Sequence, residues 1–225
     1  MIKIVGVAHV INLRSKIYSL IDYEMPDAIA IELDQYRLSA LLNKTGQKKG
    51  ISLFSILGFI QKKIASSQNI SPGEEMLAAY EKAILLNKPV FLIDMDINQT
   101  YNKYKTEVRS IEKIKLIFSV MFSFLPRKNN SITIDVLLKN ERKYIESLRE
   151  NYPTLVKVLL DEREEYMAKN LLNHRNYGKI IAFVGDGHLE GLKSRLPDAE
   201  LIPLEKFLEM NLPNNEFRFT IKLYA

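Results

Sequence analysis

Short apolar runs separated by helical stretches set the rhythm of this chain. Residues 2–5, 28–33, 90–93 and 180–184 are compact apolar runs, the first broken only by Lys3 and the second only by Glu32. Runs of that length with little polar alternation suit strands buried on both faces. Between the first two, Leu13, Ile17, Leu20 and Ile21 recur at helical spacing over residues 12–23. A second helix opens at Ser71-Pro72-Gly73-Glu74-Glu75, with acids where the helix dipole favours them, and runs to about residue 86. Residues 98–173 read as largely helical: a run over 106–125, a break at 126–130, then helices to 151 and from 154. A helix at 189–196, a short strand at 200–202 and a helix near 204–210 follow, and the loose alternation of 217–223 predicts an edge strand. This order predicts one α/β domain over residues 1–225. It has a mainly parallel central sheet flanked by helices, with a helical insertion at about 98–173.

Two further apolar stretches, 51–60 and 116–125, are each about ten residues long, against the about 20 that a membrane helix needs. They read as buried or interface helices, so a homodimer through 51–64 or 111–125 is a candidate assembly, and no membrane span is expected. The 47% hydrophobic and 26% charged residues are those of an ordinary globular protein. The net charge of +5 comes from lysines and arginines interleaved with acids, which does not point to nucleic acid. Cysteine is absent, removing disulfides and thiolate ligands. The amino terminus enters a strand with no basic-then-apolar leader, so the expected location is cytoplasmic.

Candidate chemistry starts from the histidines. Of three in the chain, His9 follows Gly6 by three residues and His188 follows Gly185 by three, each after an apolar run. The carboxyl ends of parallel strands are where α/β proteins place their sites. Two neutral imidazoles and a carboxylate would give three protein ligands and leave one position for water, as in catalytic rather than structural zinc sites. The carboxylates offered are Glu32 and Glu75, one as ligand and the other as general base, and Glu32 is the first choice for the ligand. Zinc, manganese and cobalt all suit such a donor set. Asp94 and Asp96, after the third strand, suit a second metal, an outer role orienting a ligand histidine, or a helix cap. His174 sits at a polar helix end, where a cation favours the dipole. Arg37 and Arg163 are candidates for holding a substrate carboxylate or developing oxyanion, although Arg163 lies in Asp161-Glu162-Arg163-Glu164-Glu165, a run typical of a solvated helix face.

Six blocks in order carry a resemblance: Gly6-Val7-Ala8-His9; Ile31-Glu32-Leu33-Asp34 with Arg37; Pro72-Gly73-Glu74-Glu75; Leu92-Ile93-Asp94-Met95-Asp96; Glu162-Arg163-Glu164 with Tyr166-Met167-Ala168; and Val184-Gly185-Asp186-Gly187-His188 with Gly191. Together the chain resembles the TraB/PrgY/GumN family, related more distantly to the Tiki metalloproteases. The resemblance implies the α/β fold shared with erythromycin-esterase-like proteins and a site on the paired histidines and Glu32. It makes Arg163 a family feature. It also implies peptides as the substrate class, since Tiki-like relatives are regarded as metal-dependent peptidases and TraB and PrgY shut down peptide pheromones. The expected activity is therefore a divalent-metal-dependent peptide hydrolase, with a non-catalytic peptide- or signal-binding regulator as the alternative. Two positions depart from the pattern: Val7 stands where threonine is usual, and Asp186 where a small apolar residue is common. The carboxy-terminal membrane helices of many relatives are not expected here.

Overall fold

The computed structural model describes residues 1–8, 11–43, 73–123 and 146–213, the side chains of 117–123 excepted. Five parallel strands are present among them: β1 (Ile2–Val7), β2 (Ala28–Ile31), β3 (Val90–Leu92), β4 (Ile180–Gly185) and β5 (Glu200–Ile202). They lie in the order β3-β2-β4-β1-β5. The helices are α1 (Arg14–Glu24), α2 (Gln35–Leu42), α3 (Glu74–Leu85), α4 (Ile97–Glu107), α5 (Ser110–Ser123), α6 (Pro153–Val156), α7 (Glu162–Asn173), α8 (Leu189–Arg195) and α9 (Leu204–Glu209). The expected parallel sheet with helical cover is therefore present. Residues 98–173, where described, are helical as the pattern predicts. The predicted helix at 51–64, the break at 126–130 and the edge strand at 217–223 fall outside the described residues.

Each central strand buries both faces because its apolar residues serve two cores in turn. On β2, Ile29 and Ile31 join one cluster with Ile17, Leu20, Met76 and Phe207. Ala28 and Ala30 point the other way, into a cluster with Met167, Leu171, Leu189 and Leu192. Strand β4 divides likewise, with Ile181 and Phe183 on the first face and Ile180, Ala182 and Val184 on the second. Helices α1, α3 and α9 thus cover one face, and α7 and α8 the other. This is the alternation of side-chain direction along a strand, with both sides made apolar.

Two local departures from the pattern matter. The expected run over 106–125 is interrupted, α4 ending at Glu107 and α5 beginning at Ser110. Between α6 and α7, Lys157–Asp161 forms a π turn in which the Glu162 N–H bonds the Lys157 carbonyl five residues back. Widened turns of this kind recur at functional sites, and here it immediately precedes Arg163. Glu112, buried on α5, accepts from the Thr154 and Leu155 N–H groups at 3.3 and 2.9 Å, so it caps the start of α6.

At the amino end of the sheet, the Glu24 carboxylate meets the Lys3 and Lys179 ammonium groups, each at 2.5 Å. Burial opposes ionisation of Glu24, but the hydrogen bonds from Lys179 and Lys3 outweigh it and hold the carboxyl below its ordinary value of 4.5. A depressed folded-state value means stability that is present above the unfolded value and lost as pH falls through the folded one. Stability should therefore decline on acidification below about 4.5, and a Glu24→Gln variant should show a shallower decline in urea titrations at stepped pH. Equal slopes for the two proteins would remove Glu24 from the acid response.

Candidate active site

The connections from β2 and β4 leave in opposite directions. From β2 the chain passes to its outer neighbour β3, with α3 on the first face. From β4 it passes to β5 beyond β1, with α8 on the second face. A crevice at the carboxyl ends of such diverging strands is the preferred ligand site of open α/β sheets. Glu32 follows β2 and Gly185–His188 follows β4 at this point. The register brings them together: Ile31 pairs with Phe183, and the Glu32 N–H continues the ladder to the Phe183 carbonyl at 3.1 Å. Continuing the alternation of Ala28 and Ala30, the Glu32 side chain emerges on the face covered by α7.

There it enters a buried ladder of alternating charge. Glu32 Oε2 accepts from the Gly185 N–H at 2.6 Å, and Glu32 Oε1 accepts from Arg163 Nη2. The same Arg163 nitrogen reaches Asp94 Oδ2 at 2.6 Å, its Nε reaches Asp94 Oδ1 at 3.1 Å, and its Nη1 reaches the Leu159 carbonyl at 3.1 Å. Asp94 also accepts from Arg37 Nη2 at 2.6 Å, and Arg37 Nε donates to Asp34 at 2.6 Å. Asp34 additionally caps α2 through the Arg37 N–H at 2.8 Å. At the other end His188 Nε2 stands 3.4 Å from Glu32 Oε1, and its Nδ1 stands 3.4 Å from Glu164 Oε1. Glu164 Oε2 accepts from Arg195 Nη1 at 2.9 Å.

These neighbours set the protonation states. Burial alone would neutralise Glu32, but His188, Arg163 and the Gly185 N–H hold its carboxyl well below the ordinary range. Asp94, pushed up by burial and by Glu32, is lowered on balance by Arg163 and Arg37. His188 would lose its proton on burial and beside Arg163, yet Glu32 and Glu164 raise its value to about 9. Arg163 and Arg37 stay charged, their values raised by the carboxylates they touch.

Of the residues proposed from sequence, Glu32, Arg37, Arg163 and His188 come together. Arg163 is buried in the ladder and not on a solvated face. Its three nitrogens all serve protein acceptors, whereas the Arg37 side chain is 28% exposed. Glu75 is buried in the first turn of α3. Because α3 feeds the start of β3, its first turn lies toward the carboxyl ends of the strands. Asp94 belongs to the ladder. Asp96 caps α4 through the Asn98 and Gln99 N–H groups at 2.8 and 3.2 Å. His174 lies at the amino end of the sheet, stacked 3.9 Å from Phe91, with Nδ1 2.7 Å from the Asn170 carbonyl. His9 lies outside the described residues. Asp186 ties the turn after β4 to the start of α9, its Oδ1 accepting from the Leu204 N–H at 2.6 Å. A Cβ at Gly6 would overlap that same oxygen, which accounts for the glycine.

The sequence reading missed Glu164 and Arg195 as site residues. The signal available was Gly191, a glycine inside a helical stretch, which marks a close approach. An added Cβ there would overlap the Glu164 carboxylate.

The residues present fit part of a metal site. Two ligand atoms 3.4 Å apart, each about 2.1 Å from an ion, subtend about 110°, the tetrahedral angle. His188 Nε2 and Glu32 Oε1 supply such an edge, and Glu164 at Nδ1 supplies the outer partner that ligating histidines require. Among the described residues, no group of three or more histidines and carboxylates is arranged to hold an ion.

A parallel α/β protein with a buried histidine–carboxylate site at the point where strand connections diverge is the class these features define. The model of the TraB/PrgY/gumN family matches residues 2–199, and the chain belongs to that family. It is similar to an uncharacterized protein of Methanocaldococcus jannaschii, with 32% identity over 216 residues that cover 88% of this chain and 54% of the relative. The chain thus spans about half the length of that curated relative. Among the described residues, no helix is long and apolar enough to cross a membrane.

Proposed function

We propose that this chain is a divalent-metal-dependent hydrolase acting on peptides, with the ion held by His188, Glu32 and His9. The observation carrying the proposal is the 3.4 Å edge between His188 Nε2 and Glu32 Oε1, backed by Glu164 on the other imidazole nitrogen. A bound divalent ion would supply Lewis acidity and bring the pKa of water at the site toward neutrality. Arg163 and the Gly185 N–H fix the Glu32 carboxylate and keep it ionised. The partly exposed Arg37 guanidinium is the group placed to receive a substrate carboxylate, which its planar fork matches. Glu75 is the candidate general base. Peptides as substrates, and kinship with the erythromycin-esterase-like fold, rest on the family resemblance. A second reading, a peptide-binding regulator that does not cleave, draws support from the ladder's internal neutrality, since Arg37, Arg163, Arg195 and a protonated His188 balance Asp34, Asp94, Glu32 and Glu164.

The two readings part on metal. The protein dialysed against zinc, manganese or cobalt should retain about one equivalent by elemental analysis, because a His/His/Glu set is a complete catalytic site. His188→Ala should weaken that affinity by more than the roughly 10–100-fold typical of losing an outer partner. Failure of the unaltered protein to retain any of the three ions would remove the hydrolase reading and leave the regulator.

A further inference from the structure

Glu164 does not face the position between His188 and Glu32, yet it is more tightly constrained than a surface carboxylate on a charge run. It is buried on α7. One oxygen faces His188 Nδ1 at 3.4 Å and the other accepts from Arg195 Nη1 at 2.9 Å. Arg195 is itself fixed, donating to the Gly191 carbonyl at 2.8 Å and to the Asp161 carbonyl in the π turn at 3.1 Å. The carboxylate lies where a Gly191 Cβ would stand. A carboxylate can only accept, and Arg195 can only donate. Glu32 Oε1 also stands 3.4 Å from Nε2, but it already accepts from Arg163, whereas among the described residues Glu164 Oε1 faces His188 alone.

We infer that Glu164, locked by Arg195 against Gly191, is the positioning residue that keeps the His188 ring proton on Nδ1 and turns Nε2 toward Glu32. Its effect on the ring stands alone, while its effect on metal affinity rests on the function proposed above. An imidazole whose Nδ1–H is held by a carboxylate has its orientation and tautomer fixed and its other nitrogen made more basic. Arg195 adds a polarity to the arrangement. Whatever amide or carboxyl stands at position 164 must offer Arg195 an acceptor, so a glutamine there turns its oxygen to Arg195 and its NH2 to His188. Nδ1 must then accept, and the ring proton moves to Nε2.

That inversion is the test. Nitrogen-15 correlation spectra of the metal-free protein, recorded with the imidazole neutral, should show His188 protonated at Nδ1. Glu164→Gln should show the proton at Nε2. In Glu164→Gln/Arg195→Met the amide is free to turn round, and the proton should return to Nδ1. Glutamine keeps the shape of glutamate, so the space against Gly191 stays filled in both variants. Zinc affinity should fall roughly 10–100-fold in the single variant and recover most of that in the double one. A single variant that keeps the Nδ1 tautomer overturns the inference, and so does one whose tautomer inverts with zinc affinity unchanged. If the unaltered protein binds no zinc, the proposed function fails while the tautomer of the three proteins still decides the role of Glu164.

Discussion

Replacing Arg163 with methionine is expected to lower the stability of the fold by about 3–5 kcal/mol, the cost of leaving a buried charge without its partner. Two buried carboxylates lose a charged partner at once. Asp94 loses both hydrogen bonds from Arg163 and keeps Arg37, while Glu32 keeps the Gly185 N–H and His188. For a chain of this size the loss corresponds to roughly 10 °C in the melting temperature. Lysine should restore little of it. A single ammonium cannot reach both Asp94 oxygens, Glu32 and the Leu159 carbonyl together, as the guanidinium fork does. Thermal and urea melts of Arg163→Met and Arg163→Lys beside the unaltered protein are the measurement. A methionine variant melting within a degree or two of the parent would mean that the carboxylates are relieved by some other route.

Gly191→Ala is expected to lower stability by about 2–3 kcal/mol, and the sign is the informative part. Judged as a helix position, alanine for glycine inside α8 should stabilise by about 1 kcal/mol. Against that, the new Cβ would overlap both Oε2 and Cδ of Glu164, so the carboxylate must leave. Its departure leaves Arg195 with only its two carbonyl acceptors and takes the carboxylate from His188, and any overlap that remains adds about 1–3 kcal/mol of overpacking. These losses exceed the propensity gain. Pairing Gly191→Ala with Glu164→Ala tests the cause, because the two changes should be far from additive if the alanine acts by expelling the carboxylate. A Gly191→Ala protein more stable than its parent would show that Glu164 moves aside freely.

What the sequence disclosed and what it hid divide along a physical line. The strands were legible because burial on both faces leaves an unbroken apolar run, as at residues 180–184. Glu32 and His188 were legible because each ends such a run, and the sheet order then places their strands side by side. Arg163 and Glu164 were disguised. A buried charged pair on α7 has the same composition as a solvated acidic-basic helix face, and only the partner on another element tells them apart. Arg195 was hidden for the same reason at the end of α8. The π turn before α7 leaves no mark in hydrophobic spacing, because its five residues carry apolar and charged side chains as an ordinary turn would.

The strand order has a consequence for how the chain is made. Strands β1 and β2 are synthesised before β4, but they do not pair with each other; β4 lies between them. Gly185, which closes on Glu32, comes 153 residues later. Until that stretch has emerged from the ribosome, the inner edges of β1 and β2 stay open and the carboxylate of Glu32 has neither Arg163 nor His188 beside it. Unpaired strand edges invite association with other chains. A nascent chain therefore carries open strand edges across the whole span between Glu32 and Gly185, and the buried ladder of charges closes only once β4 has joined the sheet.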